Sequence, residues 1–477
     1  MSNYQWEGGW HSREELHHGV VTSDGNYVGC GYCGYRTTGS DQEILLLKVD
    51  TLGNEIWHRF YENNDRAKYG ESVKETPDRG FIITGSYYSD DTCWLYLLKT
   101  DSLGYPEWDR MFISDQPTLI RCTGYDIELA DDGGYLIAGR AGWACNTGYL
   151  YLAKTDSLGN KEWEKVYANS SMDLAFGVDR TSDGGYIITG YTSLGNRYLW
   201  LLKTNSSGDT LWTRIMGGGM GAWGEAGLDV AETPDCGYIV AGYTYSYSAN
   251  PGNQRDGWLV RTDSLGDSVW ARAYPGNHGV GGSLASVRNM PGGGYLAGGT
   301  DDANDSDGWM LRTDPAGNVR WQNSWGDVAE TGWDHVNCVQ PTADGGVIGF
   351  GSSYTYATPS FDAWLIKADS SGLVGVGESG PGSNRPARPT LSVVPNPMAG
   401  PGRIAFAVPH AGPVRIDLCD VGGRKIRTIH RGEAGDSGTA RFDARGISSG
   451  VYVIRLVSDG GSAAQRITVV GSRREIK

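Results

Sequence analysis

The sequence predicts an all-β chain: a seven-bladed β-propeller of four-stranded blades, followed by a small Ig-like β-sandwich. Three observations carry that reading. A segment of the type D-G-G-Y-L-I-A-G recurs at Asp24, Asp78, Asp132, Asp183, Asp235, Gly292 and Asp344, in steps of 54, 54, 51, 52, 57 and 52 residues. A second segment, K-T-D-S-L-G-N-x-x-W, follows each copy, led by Lys48, Lys99, Lys154, Lys203, Arg261, Arg312 and Lys367. No apolar pattern of helical period persists in this region, whereas strand-length apolar runs bounded by Gly and Asp recur in every repeat. Four-stranded units of roughly 40 to 50 residues, repeated around a ring, make a propeller.

The fourth repeat shows the elements in order. A short first strand holds Val178; Gly185 to Tyr191 (GYIITGY) is the second, Tyr198 to Lys203 (YLWLLK) the third, and a fourth holds Trp212. In the third-to-fourth hairpin, Asp156, Ser157, Gly159 and Asn160 supply side-chain acceptors and permissive backbone. The closing Trp residues, 57, 108, 163, 212, 270 and 321, are expected to pack against the adjacent blade. The seventh repeat, Lys367 to Val376 (KADSSGLVGV), lacks its closing Trp, while Trp6 precedes Asp24 by 18 residues against 20 to 24 in complete repeats. Trp6 is therefore expected to be the missing residue, after a small deletion. Residues 3 to 8 should then close the ring as the outer strand of the last blade, beside the strand of Trp364.

Composition fits a large β core. The 72 Gly and 18 Pro are about 19% of 477 residues, short of a disordered chain, and 17 Trp, 27 Tyr and 8 Phe imply extensive burial. No apolar run reaches the ~18 residues of a transmembrane segment. Residues 381 to 477 hold 15 Lys and Arg against 7 Asp and Glu, leaving 26 basic and 49 acidic residues before them. That acidic body argues against nucleic acid. The composition shift at Gly375 to Pro389 (GVGESGPGSNRPARP) predicts a propeller over 1–376, a linker over 377–389 and a sandwich over 390–477.

Loops joining second to third strands, and one blade to the next, vary in length and composition, which marks their face as the candidate binding face. Six Trp are left over by the repeat: Trp10, Trp94, Trp143, Trp223, Trp325 and Trp333. With Tyr245, Tyr247, Tyr354 and Tyr356, the last four of these Trp form the candidate platform for a glycan or protein ligand. No catalytic residue is assigned. The runner-up is a glycoside hydrolase or lyase using channel carboxylates on the first strands, Asp126, Glu128, Asp179 and Asp229, with Lys74 and Arg288 nearby. No cofactor is expected. Calcium is the candidate ion at the loop of Asp301 to Asp307, where Asp305 and Asp307 offer oxygen ligands outside the EF-hand register. His17 and His18, adjacent on a strand, are expected to face opposite sides and not to share a metal. Cys30 and Cys33 lack the second pair a zinc site needs, so isolated thiols or a few disulfides are expected, and export would allow Cys122 to pair with Cys145.

The D-S-L-G-N-x-x-W run resembles the Trp-docking repeat of alcohol dehydrogenases that use pyrroloquinoline quinone, and the resemblance is confined to that structural turn. From Leu391 onward, alternating apolar positions in Arg403 to Val408, Val414 to Leu418 and Val451 to Leu456 predict the sandwich. Pro395-Asn396-Pro397, Asp420 with Gly423-Arg424, and Ser449-Gly450-Val451-Tyr452 carry a further resemblance. They are similar to the type A C-terminal sorting domain of bacterial type IX secretion, and to the Ig-like domain of the flagellar hook-capping family. The resemblance implies handling by the type IX machinery, cleavage of this domain, and a propeller that is secreted or held at the outer cell surface. Residues 1 to 20 show no signal-peptide pattern, so a leader is expected on a longer chain.

Overall fold

The computed structural model describes every residue except 1–3, 7–12, 35–41, 62–66, 90–91, 145–146, 171, 219–223, 249–253, 280, 303–305, 327–332, 356–359, 375–389, 395–397, 399, 409–411, 421–423, 435–436, 459–460 and 471–477. Among the described residues the chain is all β and divides into two compact units, 1–375 and 376–477. The first unit forms seven four-stranded antiparallel sheets. Six follow chain order, as in the fourth blade: Asp173–Arg180, Tyr186–Ser193, Arg197–Thr204 and Thr210–Met216. The seventh takes its outer strand from the N-terminus, with Tyr4–Trp6 antiparallel to Ser360–Ala368.

The register corrects one detail of that closure. Each closing Trp lies opposite the basic residue of the third strand, as Trp212 does opposite Lys203. Trp6 instead lies opposite Ala363, four residues short of Lys367. It therefore occupies the place of Tyr61, Met216 and Trp325, opposite Ile44, Leu199 and Gly308. No deletion is needed, because the spacing of 18 belongs to this second position.

Burial explains the ring. Each apolar cluster of this unit's main core spans two neighbouring blades: Leu16 and Leu47 of the first blade meet Phe350 and Leu365 of the seventh, and Leu199 and Leu201 of the fourth meet Val240 and Trp258 of the fifth. The closing Trp adds to this by lying against the hairpin turn of the next blade. A Cβ on Gly159 would fall 2.5 Å from the Trp108 ring, and the residue stands at φ +77°, so glycine is required there twice over. In the same turn Asp156 accepts from the amides of Leu158 and Asn160, at 2.9 and 2.8 Å.

The repeated Asp has a partner within its own blade. Lys99, Lys154, Lys203 and Lys367 reach Asp78, Asp132, Asp183 and Asp344 at 2.7–3.0 Å, each lysine being almost fully buried. The sixth blade breaks the pattern. Gly292 stands in the Asp position, so Arg312 donates to the Gly293 carbonyl at 3.2 Å, and its second terminal nitrogen is buried without a hydrogen-bond partner.

The second unit, taken by itself, is a two-sheet sandwich. Thr390–Val394, Pro401–Ala407 and Ser437–Asp443 form one sheet; Lys425–Ala434, Gly412–Cys419, Gly450–Ser458 and Gly461–Val469 form the other. Ile404 and Phe442 from the first meet Ile416, Leu418, Ile454 and Ile467 from the second.

Candidate functional site

The first strand of every blade carries a β-bulge at the same place. In the fourth blade the pairing runs Ala175 with Gly190, then Gly177 with Thr189, so Phe176 is the extra residue. The other six bulges leave His17, Glu71, Tyr125, Leu228, Ala285 and Asn337 unpaired. A bulge re-aims a side chain that strict alternation would place elsewhere. All seven line one cavity of about 450 Å³ at the centre of the ring.

Glycine makes the bulge possible. The second-strand residue opposite it is Gly31, Gly85, Gly139, Gly190, Gly242, Gly299 or Gly351. A Cβ on any of them would fall 1.7–1.9 Å from a carbonyl oxygen of the first strand. No side chain fits such a gap, so the last glycine of the repeated motif serves the channel.

The cavity has two kinds of wall. Tyr125, Phe176, Leu228 and Ala285 form an apolar arc, with the Tyr125 and Phe176 rings 5.4 Å apart. Asn337, His335, Glu15, His17 and Glu71 complete the circle on the polar side, and Asp126, Asp229, His18 and Arg288 also face the space. His17 Nδ1 lies 2.7 Å from Glu71, and its Nε2 lies 3.7 Å from Glu15. Burial opposes charge on His17, yet Glu71 and Glu15 outweigh it and hold the imidazole up at about 10. Burial likewise works against the Glu15 carboxylate, but His17 and Arg13 bring it down to about 2. Arg13 Nε contacts Glu15 at 2.5 Å, and its guanidinium lies over the Tyr32 and Phe361 rings.

The deeper carboxylates tie blades together. Asp126 accepts from Ser72 Oγ at 2.8 Å and from the amides of Ile127 and Val178, both at 2.9 Å. Asp229 accepts from the Val287 amide at 2.9 Å and pairs with Arg288 at 2.5 Å. Lys74 pairs with Glu128. Burial raises Asp126 to about 6, with Lys74 opposing and Asp229 adding; burial and Glu128 raise Asp179 to about 6 as well. Burial, then Arg288 and Lys74, hold His18 well below the ordinary histidine value.

His17 and His18 both line the cavity, contrary to the expectation from strand alternation, because His17 is itself the extra residue between the pairings of Leu16 and His18. Of the expected platform, Trp333 and Tyr247 are exposed, at 62% and 53%. Tyr245 is half-buried against Tyr243, and Tyr354 meets the edge of Phe361 at 5.0 Å. Trp325 ends the outer strand of the sixth blade and packs on the core there. Trp143 lies on the strand Tyr135–Ala144, its side chain outside the described residues, as are Trp223 and Tyr356. None of the described platform residues lines the cavity. Asp305 falls outside the described residues; Asp307 opens a third strand, 4.0 Å from His278. Among the described residues no group of three or more His, Cys, Asp or Glu can hold a metal ion. Cys30, Cys33, Cys93, Cys122 and Cys338 are free buried thiols, and Cys145 is outside the described residues.

In the second unit, Arg424 closes a turn onto Asp420, at 2.9 Å through its amide and 3.1 Å through Nε. Gly450 begins a strand, and Tyr452 donates to the Ser448 carbonyl at 2.8 Å while packing on the core. Pro395, Asn396, Pro397 and Gly423 lie outside the described residues. Residues 392–470 match the family of secretion system C-terminal sorting domains. Propeller and tail together define the class: a β-propeller carried by type IX secretion and directed to the cell surface. No helix among the described residues is long and apolar enough to cross a membrane.

No curated protein matches the chain. Among solved structures it is similar to a puromycin hydrolase, at 12% identity and TM-score 0.50 over 84% of this chain and 61% of that one. It is also similar to an ulvan lyase, at 8% identity and TM-score 0.48 over 76% and 94%. A quinohemoprotein alcohol dehydrogenase from Pseudomonas putida HK5 matches at 11% identity and TM-score 0.43 over 76% and 69%. At such identities the likeness concerns the fold alone.

Proposed function

We propose that this exported propeller binds saccharide, receiving the end of a glycan in its central cavity. The observation that carries the reading is the convergence of seven bulge residues on one space, with an apolar arc facing a polar one. A pyranose is divided in the same way. Its C–H face stacks on Phe176 and Tyr125, while its hydroxyls meet Glu71, Glu15 and Asn337. The first strands that carry these residues are entered from the variable blade-to-blade loops. Trp333 and Tyr247, the exposed members of the loop platform, are outer contacts for the rest of the glycan.

A glycan array on the full chain, followed by titration of the best ligand, tests this. Phe176→Ala and Asn337→Ala should each weaken binding about tenfold, and Trp333→Ala much less. Loss confined to Trp333→Ala would return the site to the outer loops, and absence of any glycan binding would end the reading. A hydrolase or lyase reading has one observation in its favour, the Asp126 carboxyl raised to about 6. It requires release of new sugar ends that Asp126→Asn abolishes.

A further inference from the structure

The charge of the cavity limits which saccharide it can take. Glu15, Glu71, Asp126 and Asp229 line it against two cations, His17 and Arg288. His18 and His335 add no charge near neutral pH, since burial holds both below the ordinary histidine value. Arg13, paired with Glu15, reduces the excess without cancelling it. The chain before residue 381 is acidic as a whole, with 49 Asp and Glu against 26 Lys and Arg. A uronate or a sulfated sugar would bring further negative charge into a partly desolvated space, where like charges cost most.

An ammonium would meet the opposite conditions. Glu71 commits one oxygen to His17 Nδ1, and it stands at the bulge position next in the ring to Tyr125. A carboxylate beside an aromatic face suits a primary amine, through a charge-assisted hydrogen bond on one side and a cation–π contact on the other. Resting on the saccharide reading above, we propose that the cavity selects a sugar carrying a free amine, its ammonium seated between the Glu71 carboxylate and the Tyr125 ring.

Calorimetric titration of the full chain at pH 7 with a glucosamine trimer, its N-acetylated counterpart and a galacturonate trimer decides the matter. The amine form should bind about tenfold more tightly than the acetylated form, and the acid form most weakly. Glu71→Gln should bring the amine form down to the acetylated level. Should that variant fail to fold, the wild-type comparison decides alone. Equal or stronger binding of the acetylated or acidic trimer would overturn the amine assignment and leave the saccharide reading standing. Failure of all three, in a protein that also binds nothing on a glycan array, would overturn both. A lysine peptide binding as tightly as the glucosamine trimer would overturn the saccharide part.

Discussion

An imidazole with a carboxylate at each nitrogen has no lone pair to offer, and that sets what His17 can do. It is a fixed cation that joins Glu15 of the first blade to Glu71 of the second, rather than a base awaiting a proton. Its folded value of about 10 lies above the ordinary 6.5. The sign follows directly: the stabilisation is complete below about pH 6.5 and is lost as pH rises toward 10. His17→Gln leaves two carboxylates facing each other, and should cost about 3 kcal/mol at pH 6. The gap between wild type and variant in thermal melts should close as pH approaches 10. A gap of constant size would show that the charge on His17 contributes nothing to it.

At the scale of the strand, the unit that matters is the bulge with its facing glycine. Gly190→Ala would drive a methyl to 1.7 Å from the Leu174 carbonyl oxygen, so either the bulge or the pairing must go. The expected cost is about 3 kcal/mol or more. Gly133→Ala, at φ +83° but with nothing within 4 Å, should cost only about 1 kcal/mol. Equal melting losses for the two variants would refute the bulge argument. This unit also shows how much could be read in advance. The blades, their number and the ring closure were legible because repeats of Asp, Gly and Trp report turns, which depend on neighbours in sequence. Of the channel residues that alternation picks out, Asp126, Asp229 and Arg288 do line the cavity, but the seven bulge residues escape it because the strand inserts one residue there. Their signal was nevertheless present: His17, Glu71, Tyr125, Phe176, Leu228, Ala285 and Asn337 each precede a motif glycine, Gly31 to Gly351, by 14 residues. The loop aromatics had no such signal. Trp325 packs on the core while Trp333 is 62% exposed, and only neighbours distant in sequence decide between them.

For the propeller as a whole, stability rests on apolar clusters lying between blades, so the ring holds together only if the last blade meets the first. Phe350 and Leu365 of the seventh blade do so against Leu16 and Leu45. The strand Tyr4–Trp6 contributes differently: it pairs with Tyr4 opposite Leu365 and Trp6 opposite Ala363, covering an edge of the third strand that would otherwise be open. Removing residues 1–8 leaves the clusters between the first and seventh blades in place and exposes Ser360–Ala368 as an edge. The ring should therefore still form, with a melting temperature lower by about 5 °C, and the exposed edge should promote self-association at high concentration. Melting and light scattering of the shortened and full chains, side by side, provide the measurement. A shortened chain that melts unchanged and stays monomeric would mean that the three-residue strand is dispensable and that the inter-blade clusters alone close the ring.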